Sequence, residues 1–320
     1  MKRKCTTLEL LSISLLPLCL LLKSYYVQAQ PTAIPSNAEP LILRTSVLDE
    51  KGRFLIGLQK ELFTVFCDKA KREIVDFRVS DEPTSVVLLV DKTKSMNVDG
   101  WRAHQYSLLG RAFLEFMESS HVQNEYALLS FDKSSTVLQG WSTDQQAILA
   151  PLKNFTNEQA QGVMDVRQAC LDALETAKTG KHPRKLIVLF TDGWQSAGTV
   201  SDKKFKELGS DSGVAIFAVK VPNLPFPGSG GVAEDLLNHI VSPTGGTTLF
   251  ADSPLALLES FSSLNKILQN QYRITIHRPP FQKEKKWHSL KVDVVLPPGS
   301  LRALKSLGVK HQAGFFDRLK

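Results

Sequence analysis

Apolar residues in this chain fall into two patterns that predict different surroundings. Ser85-Val-Val-Leu-Leu-Val-Asp91 and Lys185-Leu-Ile-Val-Leu-Phe-Thr191-Asp192-Gly193 contain unbroken apolar runs closed by polar residues, the pattern of strands buried on both faces at the centre of a parallel sheet. Leu41 to Leu48, Leu62 to Phe66 and Ile74 to Val79 have period-two character instead, as in strands covered on one face. Phe54 to Leu58 reads as a further strand after the turn Asp49 to Gly52, and Asp68 to Lys71 as another turn. Helical spacing marks Trp101 to Met117, where Ala103, Tyr106, Leu109, Leu114 and Met117 form a core-facing stripe. Helices are also predicted at Thr143 to Leu152 with a Thr or Ser cap, Asp165 to Ala177, Asp202 to Leu208, 232 to 241, and Ser253 to about Gln269. Strands are predicted at 126 to 132, 135 to 139, 213 to 221 and 246 to 250.

This alternation of strand and helix from Thr84 to about Asn270 predicts a doubly wound, mostly parallel α/β sheet with right-handed crossovers. Three more strands are expected at 272 to 276, 290 to 296 and 308 to 316. The strand-only segments 41–82 and 271–320 are each too small to stand alone. They are expected to pair into one β module with the 84–270 domain inserted between its halves.

The amino terminus has its own signature. Met1-Lys-Arg-Lys, the apolar stretch Leu10 to Leu22 and Val27-Gln-Ala29 predict a signal peptide over residues 1–29, cut after Ala29, with 30–40 as a Pro-containing linker. The apolar stretch is shorter than the roughly 20 residues of a spanning helix. The expectation is an exported chain, periplasmic or extracellular, with no membrane span once mature. Removing residues 1–29 takes away Lys2, Arg3, Lys4 and Lys23 against Glu9, so the formal charge falls from +7 to about +4. That excess is mild, and no Lys/Arg run with interleaved aromatics appears, which argues against nucleic acid. Cys67 and Cys170 remain, in separate elements, and read as free thiols.

The candidate chemistry lies where the two continuous strands end. Asp91-x-Thr93-x-Ser95 and Asp192 would face one crevice if those strands are neighbours at the point where the strand order reverses. Two carboxylates with hydroxyls and no nearby His or Cys form a hard, all-oxygen donor set suited to Mg²⁺ or Mn²⁺. Asp132-x-Ser134-x-Thr136 has the same spacing, but it lies between two short strand-like runs and reads as a hairpin turn.

Asp91-x-Thr93-x-Ser95 after a hydrophobic strand, with Thr191-Asp192-Gly193 ending a later one, resembles the metal-ion-dependent adhesion site (MIDAS) of the von Willebrand factor type A (VWFA) family. Asp49-Glu-Lys-Gly-Arg-Phe-Leu-Ile-Gly-Leu and the ending Val309-Lys-His-Gln-Ala-Gly-Phe-Phe resemble the strands around such a domain in exported bacterial VWFA-related proteins. The resemblance implies a Rossmann-like fold and a non-catalytic protein-binding module whose protein ligand offers a carboxylate. Thr93 and Ser95 would bind the ion directly, Asp91 would act largely through water, and Asp192 would match the acid of the third loop. The middle loop departs from the family. Counting back from Asp172-Ala-Leu174 gives Gln168 where the family has Thr, and no Ser or Thr occurs from Asn157 to Asp172. Asp165 is the other residue that would serve there.

Beside the site, Lys92 and Lys94 read either as solvated surface or as steering charges for an anionic partner. Trp101 and Trp194 read as half-buried lids or interface anchors. Two other readings stand beside the binding module. One is a Mg²⁺-dependent phosphatase of the haloacid-dehalogenase type using Asp91, which Val90-Asp91-Lys92-Thr93 also resembles but which lacks its usual second acid beside Asp192. The other is a structural scaffold that binds no metal.

Overall fold

The computed structural model describes residues 40–50, 53–96, 105–155, 165–194, 198–222, 230–279, 287–296 and 307–316. Residues 1–39, which hold the stretches read as signal peptide and linker, fall outside them. Strands β1 (Pro40–Leu48), β2 (Phe63–Cys67), β3 (Ala70–Arg72) and β4 (Ile74–Ser80) lead into the α/β unit. That unit contains β5 (Thr84–Asp91), α1 (Gln105–Glu118), β6 (Glu125–Phe131), β7 (Ser135–Ser142), α2 (Gln145–Leu149), α3 (Val166–Lys178) and β8 (Arg184–Thr191). It continues with α4 (Asp202–Asp211), β9 (Ala215–Lys220), α5 (Gly230–Val241), β10 (Thr248–Phe250) and α6 (Pro254–Gln269). Strands β11 (Gln271–His277), β12 (Trp287–Val294), β13 (Gly308–Lys310) and β14 (Gly314–Phe316) follow.

The central sheet has the order β10-β9-β8-β5-β6-β7. Its pairs are parallel except β6 with β7, the hairpin turning at Asp132 to Ser134. All eight residues of β5 are buried because alternate side chains enter different cores. Val86, Leu88 and Val90 pack with Leu109 and Phe113 of α1 and Leu257 and Phe261 of α6. Val87 and Leu89 pack with Ala169 and Ala173 of α3 and Leu237 of α5. This two-sided burial is the physical origin of the unbroken apolar run.

The end strands form two four-stranded sheets, β13-β1-β11-β4 and β14-β12-β2-β3. Leu43 and Ile274 from the first sheet share a core with Val65, Val292 and Phe315 from the second. The chain enters the α/β unit from β4 and leaves it into β11, and these two strands pair directly, with Ser80 opposite Gln271. Pairing at the point of entry and exit is what allows the larger unit to sit between the halves of the smaller one.

Three local expectations are corrected. Phe54 to Leu58 is not a strand. After a bridge between Leu48 and Phe54, Gly57 takes φ 75°, and the Tyr272 hydroxyl accepts from Leu58 N and donates to Leu55 O, each at 2.9 Å. The predicted helix from Thr143 is capped by Asp144, whose carboxylate accepts from Gln146 N, and it becomes a 3-10 turn at Ala150. Pro151 has no N–H to continue the α ladder. The stretch 308 to 316 is two strands on different sheets, β13 beside β1 and β14 beside β12.

Candidate metal centre

β5 and β8 are neighbours, with Val90 opposite Phe190. From them the order runs to β6 and β7 on one side and to β9 and β10 on the other, so the reversal falls between their carboxyl ends. Asp91 ends β5 and is fully buried. Its Oδ1 accepts from Thr93 N at 2.8 Å and from Thr93 Oγ1 at 2.6 Å. Its Oδ2 accepts from Thr191 Oγ1 at 2.5 Å. Thr93 Oγ1 lies 3.1 Å from Ser95 Oγ, and the 3-10 turn Lys94–Met96 closes with Met96 N donating to Thr93 O. Tyr106 of α1 donates to Asp91 O at 3.1 Å, and Lys92 N donates to Phe131 O. These bonds join the end of β5 to α1 and β6.

The β8 side is built as tightly. Thr191 Oγ1 accepts from Gly193 N at 2.9 Å, and buried Asp192 accepts from Trp194 N through Oδ1 at 2.9 Å. Gly193 has φ 72°, and a Cβ there would sit 3.2 Å from the Ala233 Cβ and the Leu237 Cδ1 of α5. Glycine is therefore required both for the turn and for its close approach to α5. Thr191 is the residue whose role the sequence reading missed. Its hydroxyl links the two strands through Asp91, and its position next to Asp192 was the available signal.

Burial, and secondarily the charge of Asp192, hold the Asp91 carboxyl well above its ordinary range, up to about 7. The hydrogen bonds from Thr191 and Thr93 oppose that shift. Two buried acids with hydroxyl oxygens around them need either a proton or a cation. The Thr93, Ser95 and Thr191 hydroxyls retain oxygen lone pairs while donating, so the donor set fits a hard divalent ion.

The middle-loop candidates are occupied differently. Asp165 caps α3, with Oδ1 accepting from Arg167 N at 2.9 Å, while Oδ2 accepts from Thr199 N at 2.5 Å and Val200 N at 2.8 Å. Gln168, in the first turn of α3, donates through Nε2 to Asp172 Oδ1 at 2.8 Å. Among the described residues, neither side chain has a hydrogen bond to the Asp91 group; residues 156–164 lie outside them. Lys92 is half-buried, with Nζ 4.3 Å from the Phe155 ring centroid, a cation–π contact. Trp194 is half-buried. Trp101 and the Lys94 side chain lie outside the described residues.

A second group of ligand-type atoms occurs in the β module, where Cys67, Asp68 and His288 place S, O and N within 4.8 Å of one another. Asp68 Oδ2 lies 2.6 Å from His288 Nδ1, and Asp68 Oδ1 accepts from Ser289 N. These bonds fasten the β2–β3 turn, where Asp68 and Lys69 both have positive φ, to β12. Cys67 and Cys170 are buried, and neither is in a disulfide.

Comparison with known proteins gives a family match within the central unit. Residues 86–195 match the model of the von Willebrand factor type A domain. No curated protein matches the chain. An aerotolerance-related membrane protein from Bacteroides fragilis aligns at 14% identity and TM-score 0.47, over 58% of this chain and 98% of that one. The von Willebrand factor domain of the type V pili tip protein Mfa5 from Porphyromonas gingivalis aligns at 11% identity and TM-score 0.45, over 57% and 94%. The PilB minor pilin from Streptococcus sanguinis aligns at 13% identity and TM-score 0.44, over 60% and 62%. The segment carrying both acid-ended strands belongs to the von Willebrand factor type A domain family.

Proposed function

We propose that this chain is an exported, non-catalytic protein-binding module that uses a partial metal-ion-dependent adhesion site. In this reading residues 1–29 are a signal peptide, 30–40 a linker and 84–270 the type A domain, with 41–82 and 271–320 supplying the β module. No described helix is long and apolar enough to cross a membrane. The observation that carries the proposal is the buried Asp91, Thr93, Ser95 and Asp192 group at the carboxyl ends of adjacent strands. Thr93 and Ser95 would hold Mg²⁺ or Mn²⁺ directly, and Asp91 and Asp192 would supply the balancing charge. Gln168 would serve as a weak neutral ligand only by releasing Asp172. The ion would supply electrostatic attraction for an acidic group on a protein partner. Pull-down from an envelope fraction with and without EDTA tests this. A partner lost with EDTA, and lost with Asp192→Asn in Mg²⁺, supports the proposal; capture unchanged by both refutes it.

A further inference from the structure

At the opposite end of the central sheet, the first residue of β8 is a buried cation whose hydrogen bonds, among the described residues, go to neutral acceptors. Arg184 is 3% exposed. Its Nη2 donates to Leu268 O at 2.8 Å and Gln271 Oε1 at 2.7 Å, both neutral acceptors. Among the described residues, no carboxylate lies within ion-pair distance of it. Of the two acids whose charges reach it, Glu82 and Asp81, Glu82 is shared by Arg44 at 2.8 Å, Arg273 at 3.1 Å and Arg78 at 3.6 Å. Burial first, then repulsion from Arg44, holds the Arg184 guanidinium below its ordinary range, at about 9, so it is still charged at neutral pH. Glu82 and Asp81 oppose that shift without forming an ion pair with Arg184, so a buried charge of this kind would gain from a closer counter-ion.

The structure has room for one. Arg184 lines a cavity of about 20 Å³ together with Arg44, Lys185, Thr244, Gln271 and Gln312, and no Asp or Glu is in its lining. Among the described residues, the buried donor Arg44 Nε has no hydrogen-bond partner. The Lys185 ammonium is held by Gly180 O and His182 O, which leaves the two guanidinium groups as the charged donors. One water needs roughly 10–15 Å³, so the space admits a single guest of water or monatomic-ion size.

We infer that this cavity is a binding site for a small monovalent inorganic anion of chloride size, held by Arg184 and Arg44 between the α/β unit and the β module. Arg44 lies on β1 and Gln271 on β11, so the ion would neutralise the contact between the amino end of β8 and the sheet formed by the chain ends.

Thermal unfolding of the full chain at pH 7.5 and constant ionic strength, with gluconate replaced stepwise by chloride, tests the inference. Gluconate is too large for the cavity. The melting temperature of the wild type should rise by a few degrees with chloride, bromide should substitute, and Arg184→Met should not respond. An identical chloride response in Arg184→Met, or none in the wild type, overturns the proposal. If Arg184→Met does not fold, ³⁵Cl line broadening on the wild type decides instead. Excess broadening that bromide competes away supports the site, and its absence overturns it.

Discussion

Replacing Asp91 by Asn should stabilise the metal-free protein at pH 8, although it removes an acid that accepts three hydrogen bonds. The Asp91 carboxyl titrates near 3.8 when unfolded and is raised to about 7 when folded. The folded state therefore binds the proton more tightly, and stability is fully present below pH 3.8 and lost as pH rises through 7. At 1.36 kcal/mol per pKa unit, the loss is on the order of 4 kcal/mol. Asn cannot accept from Thr191 Oγ1 with its amide nitrogen, but that hydroxyl can turn and accept instead, a cost of about 1 kcal/mol. The expected net gain for Asp91→Asn at pH 8 is about 2–3 kcal/mol. Urea unfolding in EDTA, followed by circular dichroism at pH 5 and pH 8, measures it. Wild type and variant should be close at pH 5 and diverge towards pH 8. A gap that stays constant between those pH values, or a variant less stable than wild type at pH 8, would refute the electrostatic argument. Adding Mg²⁺ at pH 8 should restore the wild type and leave the variant unchanged, because the ion takes the place of the missing proton.

Gln168→Thr removes the bond to Asp172 and supplies the hydroxyl of the family's middle loop, so calorimetric Mg²⁺ titration should give several-fold tighter binding than wild type. Absence of heat from both proteins at millimolar Mg²⁺ and Mn²⁺, with the fold intact, would identify the pocket as metal-free. Asp165→Ala strands the backbone donors of Arg167, Thr199 and Val200 and should cost about 2–4 kcal/mol in chemical unfolding, with Mg²⁺ affinity unchanged. A loss of affinity beyond tenfold would instead make Asp165 a ligand. Cys170 is fully buried, and burial followed by the charges of Asp165 and Asp172 pushes its thiol pKa up, so it should resist Ellman's reagent at pH 8 until the chain unfolds.

The most legible parts of the fold were those where one strong constraint fixed the pattern. Burial on two faces left no polar residue inside Val86 to Val90 or Leu186 to Phe190, which exposed both strands and the acids that end them. The alternation in β1 and β4 reported the flanking module for the same reason. Legibility ended where backbone needs are met by single side chains from distant positions. Tyr272 satisfies the segment at 55–58 across more than 200 residues, and nothing local announces it. The split of 308–316 between two sheets follows from tertiary pairing, since both pieces carry strand-like residues. At the candidate site, the motif pointed to Asp91, Thr93, Ser95 and Asp192, which the fold buries at the ends of adjacent strands. The middle loop stayed ambiguous because an N-cap Asp and a ligand Asp look alike in sequence, and only the amides of Thr199 and Val200 reveal how Asp165 is used.

The two buried charged groups lie at opposite ends of the same strands, which bears on how a partner could be received. Asp91 and Thr191 end β5 and β8, whereas Thr84 and Arg184 begin them in register with each other. Seven steps at about 3.3 Å put the ends roughly 23 Å apart. The β module attaches at the amino end, where the chain enters from β4 and leaves into β11, through the Arg184 bond to Gln271 and the bridge from Thr244 to Gln312. A ligand at the carboxyl end would therefore meet the loops after β5 and β8 and leave the module free. Under the proposed function, that division would make the carboxyl end the recognition end and the amino end the attachment end. The cost of the first is the buried Asp91–Asp192 pair, and the cost of the second is the buried Arg184.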